Sequence, residues 1–188
     1  MRSQASLSSS CSRWTITGVA VLVFLAATPA HAQVSCKLLQ PAELESTLKE
    51  WAAGGKTAKF SGSTDNSSGI AFDTCRSEIV RPGQGNLQIT VVVVKNLPMS
   101  GGDAIRTRNA ALAREGQWKV KGAQFEEKAV GKAMCTLYGR PGVPAHSVCA
   151  IPSANGYVEV DVIAPSQKEI PSINAVGTLV QRRTAACD

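Results

Sequence analysis

Alternating apolar and polar residues predict that the second half of the chain is mainly β-structure. Tyr157 to Ile163 alternates most cleanly, with Glu159 and Asp161 on one side of the predicted strand. Two apolar stretches precede it, and they flank the segment from Arg140 to Pro144, which cannot continue a strand. Asn155-Gly156 then provides a strong hairpin signal. These features predict a meander of three antiparallel strands.

Further upstream, the same criteria predict three more strands. Ile70 to Val80 alternates loosely, and Leu87 to Lys95 contains a run of four valines that is typical of a central strand covered on both faces. Trp118 to Gly122 alternates apolar and basic residues, as a half-exposed strand does. The polar segment from Lys56 to Gly69 is predicted to be a surface loop.

Three helices are predicted from apolar periodicity and from residues typical of helix ends. They span Pro41 to Trp51, Ala104 to Glu115 with Asp103 as its N-cap, and Ser172 to Ala186. Strands therefore outnumber helices, and hairpin-length connections join the later strands. The sequence predicts a single α+β domain, with an antiparallel sheet of about five to six strands and helices packed on one face.

The first 32 residues have the layout of a secretory signal peptide. Arg2 and Arg13 supply a basic start, the apolar run from Ile16 to Ala27 is too short to span a membrane, and Ala30-His31-Ala32 fits a cleavage site. An uncleaved anchor is the alternative. We expect cleavage, which leaves residues 33–188 as one domain without a transmembrane segment, either periplasmic or secreted.

Charge gives little indication of a partner. Removing Arg2 and Arg13 from the 20 basic residues leaves 18 against 14 acidic residues, a net charge of 18 − 14 = +4. The charges are scattered, without a block of five like charges. This pattern favours an ordinary solvated surface over a nucleic-acid site.

Five cysteines remain after signal cleavage, an odd number in a chain expected to be in an oxidising compartment. Five choices of the leftover thiol and three pairings of the rest give 5 × 3 = 15 arrangements, and the sequence alone does not choose among them. We expect bridges from Cys36 to Cys75 and from Cys135 to Cys149. Cys187 is then free or forms an intermolecular bridge that links two copies.

The chain has no motif for a common catalytic or cofactor site. Patterns for dinucleotide binding, zinc proteases and serine hydrolases are absent, and His146 would be the only imidazole in the mature chain. We therefore expect no cofactor, no metal and no enzymatic activity. The remaining catalytic hypothesis is a hydrolase that uses the neighbouring carboxylates of Glu159 and Asp161.

Two other sets of residues are candidates for ligand or partner contact. One is a basic patch with a tryptophan, suited to an anionic small molecule, formed by Arg106, Arg108, Trp118, Lys119 and Lys121. The other is the proline-containing loop 139–147 between two cysteines, with Val143 and His146 as contact residues. Inserted into the cleft of a secreted hydrolase, this loop would make the protein an inhibitor.

The N-terminal part of the expected domain resembles a family of small exported bacterial domains of unknown function. The resemblance rests on Cys36-Lys37-Leu38-Leu39 followed by Glu43, and on Cys75 placed ahead of a valine-rich strand. It implies a Cys36 to Cys75 bridge and a fold similar to the PsbP/Mog1-like class. It implies no catalytic residues. The leading hypothesis is an exported non-enzymatic binding or accessory protein, whose partner is an unknown protein or a small anionic ligand.

Overall fold

A computed structural model describes Cys36, Leu38 and residues 40–58, 60–66, 68–114 and 119–184, with the backbone alone described at 183 and 184. The predicted signal peptide, Trp118 and Cys187 lie outside the described residues. Cleavage at Ala32 and a Cys187-linked dimer therefore stay predictions. No helix within the described ranges is long and apolar enough to cross a membrane.

The described strands form one antiparallel sheet of eight strands, in the spatial order β1-β3-β4-β8-β7-β6-β5, with β2 also paired to β3. In chain order they are β1 (Lys56–Thr57), β2 (Ser61–Asp65), β3 (Ala71–Val80), β4 (Leu87–Lys95), β5 (Gln124–Val130), β6 (Ala133–Gly139), β7 (Ala145–Ser153) and β8 (Gly156–Ala164). β4 lies between β3 and β8, so its predicted central position is confirmed.

Four helices accompany the sheet in the described part of the chain. They are α1 (Pro41–Thr47), α2 (Lys49–Ala52), α3 (Gly101–Arg114) and α4 (Ile173–Thr184). The first predicted helix is divided at Leu48, where the backbone leaves helical geometry. The α+β class and the antiparallel sheet are confirmed.

One face of the sheet forms the main hydrophobic core. Alternate residues of β4 point into it. Leu44 of α1, Leu179 of α4 and Leu48, which joins α1 to α2, are fully buried in the same cluster. Each fully buried Leu or Val contributes roughly 1.5 to 3 kcal/mol relative to leaving it exposed. The apolar faces of the helices and the inward-facing residues of the strands therefore form one apolar layer.

The opposite face carries α3, so the prediction that helices pack on one face only is wrong. Ile105 of α3 is buried, as are Val94, Val148 and Ala150 of the sheet, and none of these four residues belongs to the main core cluster. The helix packs against β7 and β8. Arg108 of the same helix pairs with Glu159, which alternates with the core residue Val160 on β8. The four-valine run is consistent with burial on both faces, because Val93 belongs to the main core cluster and Val94, also buried, points to the opposite face of the strand.

The predicted number of strands is too low because polar edge strands have no apolar alternation. β1 and β2 lie within the segment predicted as a loop, and hydrogen bonding to β3 alone makes them strands. β5 is also an edge strand, and most of its residues are exposed. The predicted strand from Trp118 to Gly122 is wrong in its described part, where Lys119 to Gly122 form a turn.

The start of α3 also differs from the prediction. The helix begins at Gly101, and the Ser100 hydroxyl accepts the hydrogen bond from the Asp103 backbone N–H at 3.1 Å. Ser100 is therefore the N-cap, and Asp103 lies in the first turn, where its charge suits the positive end of the helix dipole. The Ser100 hydroxyl and a carboxylate oxygen of Asp103 are 2.6 Å apart, which stabilises this end further.

Both predicted disulfides are present. Cys36 bonds to Cys75 on β3, and Cys135 on β6 bonds to Cys149, its direct neighbour on β7. All four sulfurs lie on the core side of the sheet or next to it. Intramolecular disulfides persist mainly in oxidising compartments, so they indicate an exported protein.

Candidate functional site

A row of polar side chains crosses the open part of the sheet face that carries α3. The pairing register places Arg76 on β3 opposite Thr90 on β4, and Thr90 opposite Asp161 on β8. Residues in direct register point to the same side of an antiparallel sheet. The three side chains therefore line one transverse row, on the face opposite the main core.

This row lies in an open groove of about 610 Å³ over β3, β4 and β8. Its charged and polar lining consists of Ser61, Arg76, Ser77, Glu78, Gln88, Thr90, Glu159 and Asp161, and its apolar lining of Ala58, Ile89, Val92 and Ile163. A volume of this size is typical of a site for a small molecule.

Glu159 is held at the groove wall by α3. Its carboxylate forms a salt bridge with Arg108, and the two side chains are 14% and 30% exposed. Burial lowers the pKa of the Arg108 guanidinium, while Tyr157, Tyr138 and Asp161 act in the opposite direction. An arginine remains protonated even so, and the pair therefore keeps opposite charges.

Asp161 is held by an imidazole. Its two carboxylate oxygens lie 3.3 and 3.2 Å from Nδ1 of His146, and the imidazole stacks on Tyr138 with ring centroids 4.8 Å apart. An ionised carboxylate can only accept a hydrogen bond, so Nδ1 of His146 carries the proton that it donates. Stacking and hydrogen bonding together restrict the rotamers of both side chains.

Other polar groups in the groove are not engaged by the protein. The side chains of Arg76, Gln88 and Thr90 form no hydrogen bond or ion pair with any residue in the described ranges. Glu78 differs, because one of its carboxylate oxygens accepts a hydrogen bond from the Asn86 amide at 3.1 Å. Free donors and acceptors therefore concentrate on β3 and β4.

The structure separates the residues of the predicted basic patch. Arg106 is exposed and pairs with Asp103, whereas Arg108 points toward the sheet. Positions two apart on a helix face different directions, which explains the separation. Lys119 and Lys121 are exposed in the turn before β5, and Trp118 lies outside the described residues.

The predicted loop 139–147 is shorter than expected. Gly139 ends β6 and β7 begins at Ala145, which leaves 140–144 as the connection, with Val143 half-buried in it. His146 is therefore a strand residue facing Asp161, and its assignment to the loop is wrong. The physical reason is pairing: β6 and β7 remain in register up to Tyr138 opposite His146.

Sequence reasoning missed the β3 and β4 side of the groove. The sequence nevertheless contains a pattern that indicates it. Along β3, polar and charged residues alternate with more buried ones, as in a strand with one solvent-exposed face. The polar set is Thr74, Arg76 and Glu78, and the alternating set is Cys75, Ser77 and Ile79. Of the carboxylates considered in the sequence, Glu159 and Asp161 do project from one side of β8 into the groove. Among the described residues, no group of three His, Cys, Asp or Glu side chains could hold a metal ion.

No protein-family model matches this chain, and no curated protein is recognisably similar to it. Among solved structures, the chain is similar to the extracellular domain of PknH from Mycobacterium tuberculosis. The identity is 14%, the match covers 83% of this chain and 97% of that chain, and the TM-score is 0.47. A likeness at this level is too distant to support an argument about function.

Proposed function

We propose that the protein is an exported, non-enzymatic binding or accessory protein whose ligand occupies the groove over β3, β4 and β8. The observation that carries the proposal is the convergence of unengaged polar side chains on one groove. Arg76, Gln88 and Thr90 all point into it, and none has a partner within the described part of the chain. A bound molecule would give these side chains hydrogen-bond partners other than water.

The state of the two groove carboxylates supports binding over hydrolysis. A carboxylate-dependent hydrolase needs one carboxyl group that can give up a proton to its substrate. Glu159 is paired with Arg108, and Asp161 accepts from His146. Both carboxylates are therefore already paired within the protein, which suits them to electrostatic recognition of a ligand.

The frame around the groove supports the proposal in a second way. Cys75 lies between Thr74 and Arg76 on β3, and its bridge to Cys36 is on the reverse side of the same strand. Because the disulfide on the core side restrains β3, the side chains on its groove side lose less conformational entropy when a ligand binds. The proposed compartment is the periplasm or the outside of the cell, where the disulfides persist.

The test is native mass spectrometry of the mature protein purified from its own exported fraction, under conditions that keep non-covalent ligands bound. We expect an added mass that leaves on denaturation. Thr90→Trp should remove that mass, because Thr90 faces the groove and an indole would occupy it. Thr107→Trp, on the exposed side of α3, is the matched control and should retain the ligand.

Two results would overturn the proposal. One is a wild-type protein that carries no ligand in any exported preparation. The other is a Thr90→Trp variant that keeps its circular dichroism spectrum and still carries the same ligand as Thr107→Trp. In the second case the ligand binds elsewhere on the molecule.

A further inference from the structure

The groove carries charges of both signs, with Arg76 and Glu78 on β3 and the two carboxylates Glu159 and Asp161 on β8. Arg76 lies exposed on β3 without an ion pair in the described ranges, and Asp161 lies on β8 beyond Thr90. Neighbouring strands are about 4.8 Å apart, so the backbones of Arg76 and Asp161 are separated by about 10 Å. One cation and one carboxylate therefore face a common space from opposite sides.

The sum of these charges decides which ligands suit the groove. Of the four charged side chains that line it, Glu159 is neutralised by Arg108, which leaves Arg76 against Glu78 and Asp161. A simple anion would meet this excess of negative charge. A simple cation would leave Arg76 without a partner. Electrostatic complementarity therefore favours a ligand that carries both signs.

We infer that the groove recognises a small zwitterion with a carboxylate and an ammonium group, such as a free amino acid. This inference rests on the proposed function. The carboxylate pairs with the guanidinium of Arg76, which can bind it with two parallel hydrogen bonds, and the ammonium pairs with Asp161. The Thr90 hydroxyl lies between them and can hydrogen-bond to either group.

The contacts of Asp161 suit it to the ammonium subsite. His146 holds its carboxylate through Nδ1, and Tyr138 holds the imidazole by stacking. A carboxylate has about four lone-pair positions, so one hydrogen bond from His146 leaves acceptor capacity for a ligand. Glu78 adds further negative charge, so a zwitterion with an extra cationic group should bind more tightly than one with an extra carboxylate.

The experiment measures binding of matched small molecules to the mature, oxidised protein by isothermal titration calorimetry. Norleucine is the reference. Hexanoate is the same chain without the ammonium group, and pentylamine is the same chain without the carboxylate. We expect both to bind about tenfold or more weakly than norleucine, because each loses one charge-assisted hydrogen-bonded contact. Lysine should bind more tightly than norleucine, and glutamate more weakly.

Two variants assign the subsites. Arg76→Gln should weaken norleucine binding by about tenfold or more and bring it close to that of pentylamine. Asp161→Asn, which keeps the size of the side chain, should bring norleucine close to hexanoate. Arg106→Gln removes an arginine that pairs with Asp103 outside the groove, and it should leave every affinity unchanged.

The outcomes separate this inference from the proposed function. If hexanoate or pentylamine binds as tightly as norleucine, or if none of the probes binds, the zwitterion inference is wrong. The proposed function still stands in that case if Thr90→Trp releases the native ligand and Thr107→Trp does not. If Thr90→Trp and Thr107→Trp both retain that ligand, the proposed function fails as well.

Discussion

Replacing Arg108 with Met should destabilise the domain by about 2 to 3 kcal/mol, because it leaves the Glu159 carboxylate without a partner beneath α3. The size of the effect follows from the exposure of the pair. Exposed ion pairs contribute about 0 to 1 kcal/mol, whereas removing one partner of a buried pair costs about 3 to 5 kcal/mol. Glu159 and Arg108 are 14% and 30% exposed, which places the pair between these limits and closer to the buried one.

The matched control is Arg106→Met on the same helix. Arg106 pairs with Asp103, but the two side chains are 63% and 59% exposed. The same substitution there should cost less than about 1 kcal/mol. A second comparison, Arg108→Met combined with Glu159→Gln, removes the unpaired charge and should recover part of the stability lost in the single variant.

The assay is urea unfolding of the oxidised protein, followed by far-UV circular dichroism and analysed by linear extrapolation. Thermal unfolding should agree, with a decrease in melting temperature of about 5 to 10 °C for Arg108→Met. Equal destabilisation by Arg108→Met and Arg106→Met would refute the reasoning. So would a double variant no more stable than Arg108→Met, because the cost would then come from lost packing of the arginine stem.

Two further predictions concern contacts elsewhere in the fold. Gly101→Ala should destabilise by about 1 to 3 kcal/mol, because the new Cβ would overlap the first carbonyl oxygen of β8. Gly102→Ala is the control, because its Cβ would have its nearest neighbour at 3.5 Å. It should be neutral or slightly stabilising in urea unfolding. Equal destabilisation by the two variants would contradict the steric explanation for Gly101→Ala. A hydrogen bond from Ser166 and the pairing with Arg81 lower the pKa of Glu169 against a smaller opposing effect of burial. The stability this provides is present above the usual glutamate pKa and is lost as the pH falls through the lowered value. The stability difference between wild type and Glu169→Gln, measured against pH, should therefore shrink below about pH 4.5, and a constant difference would argue against this role.

The local sequence pattern was sufficient to predict the structure of segments in which the order of apolar and polar residues is regular. The alternation of β8 placed Glu159 and Asp161 on one side of a strand, and the groove contains both. The valine run of β4 placed that strand inside the sheet. Both disulfides were expected, although counting cysteines left the pairing open. For β4 and β8, the signal came from side-chain periodicity within the strand itself, which does not depend on the register of the neighbouring strands.

Local pattern failed where a neighbouring strand supplies the reason for the structure. β2 consists of Ser61–Asp65, every residue of which is exposed, and it is a strand because β3 provides its hydrogen bonds. The proline-containing turn just before His146 predicts a loop at this position. Pairing with β6 extends β7 back to Ala145 and turns the imidazole toward Asp161.

The sequence by itself determined the class of the fold, the central strand and the side of β8 that carries two carboxylates. These follow from side-chain periodicity and from chemistry confined to short segments. Only the tertiary structure decided that α3 covers the second face of the sheet, that Arg108 and His146 engage those carboxylates, and that Arg76 faces them across Thr90. Such contacts depend on the register between strands and on the position of each helix against the sheet. Both are determined by packing between residues that are distant in the chain.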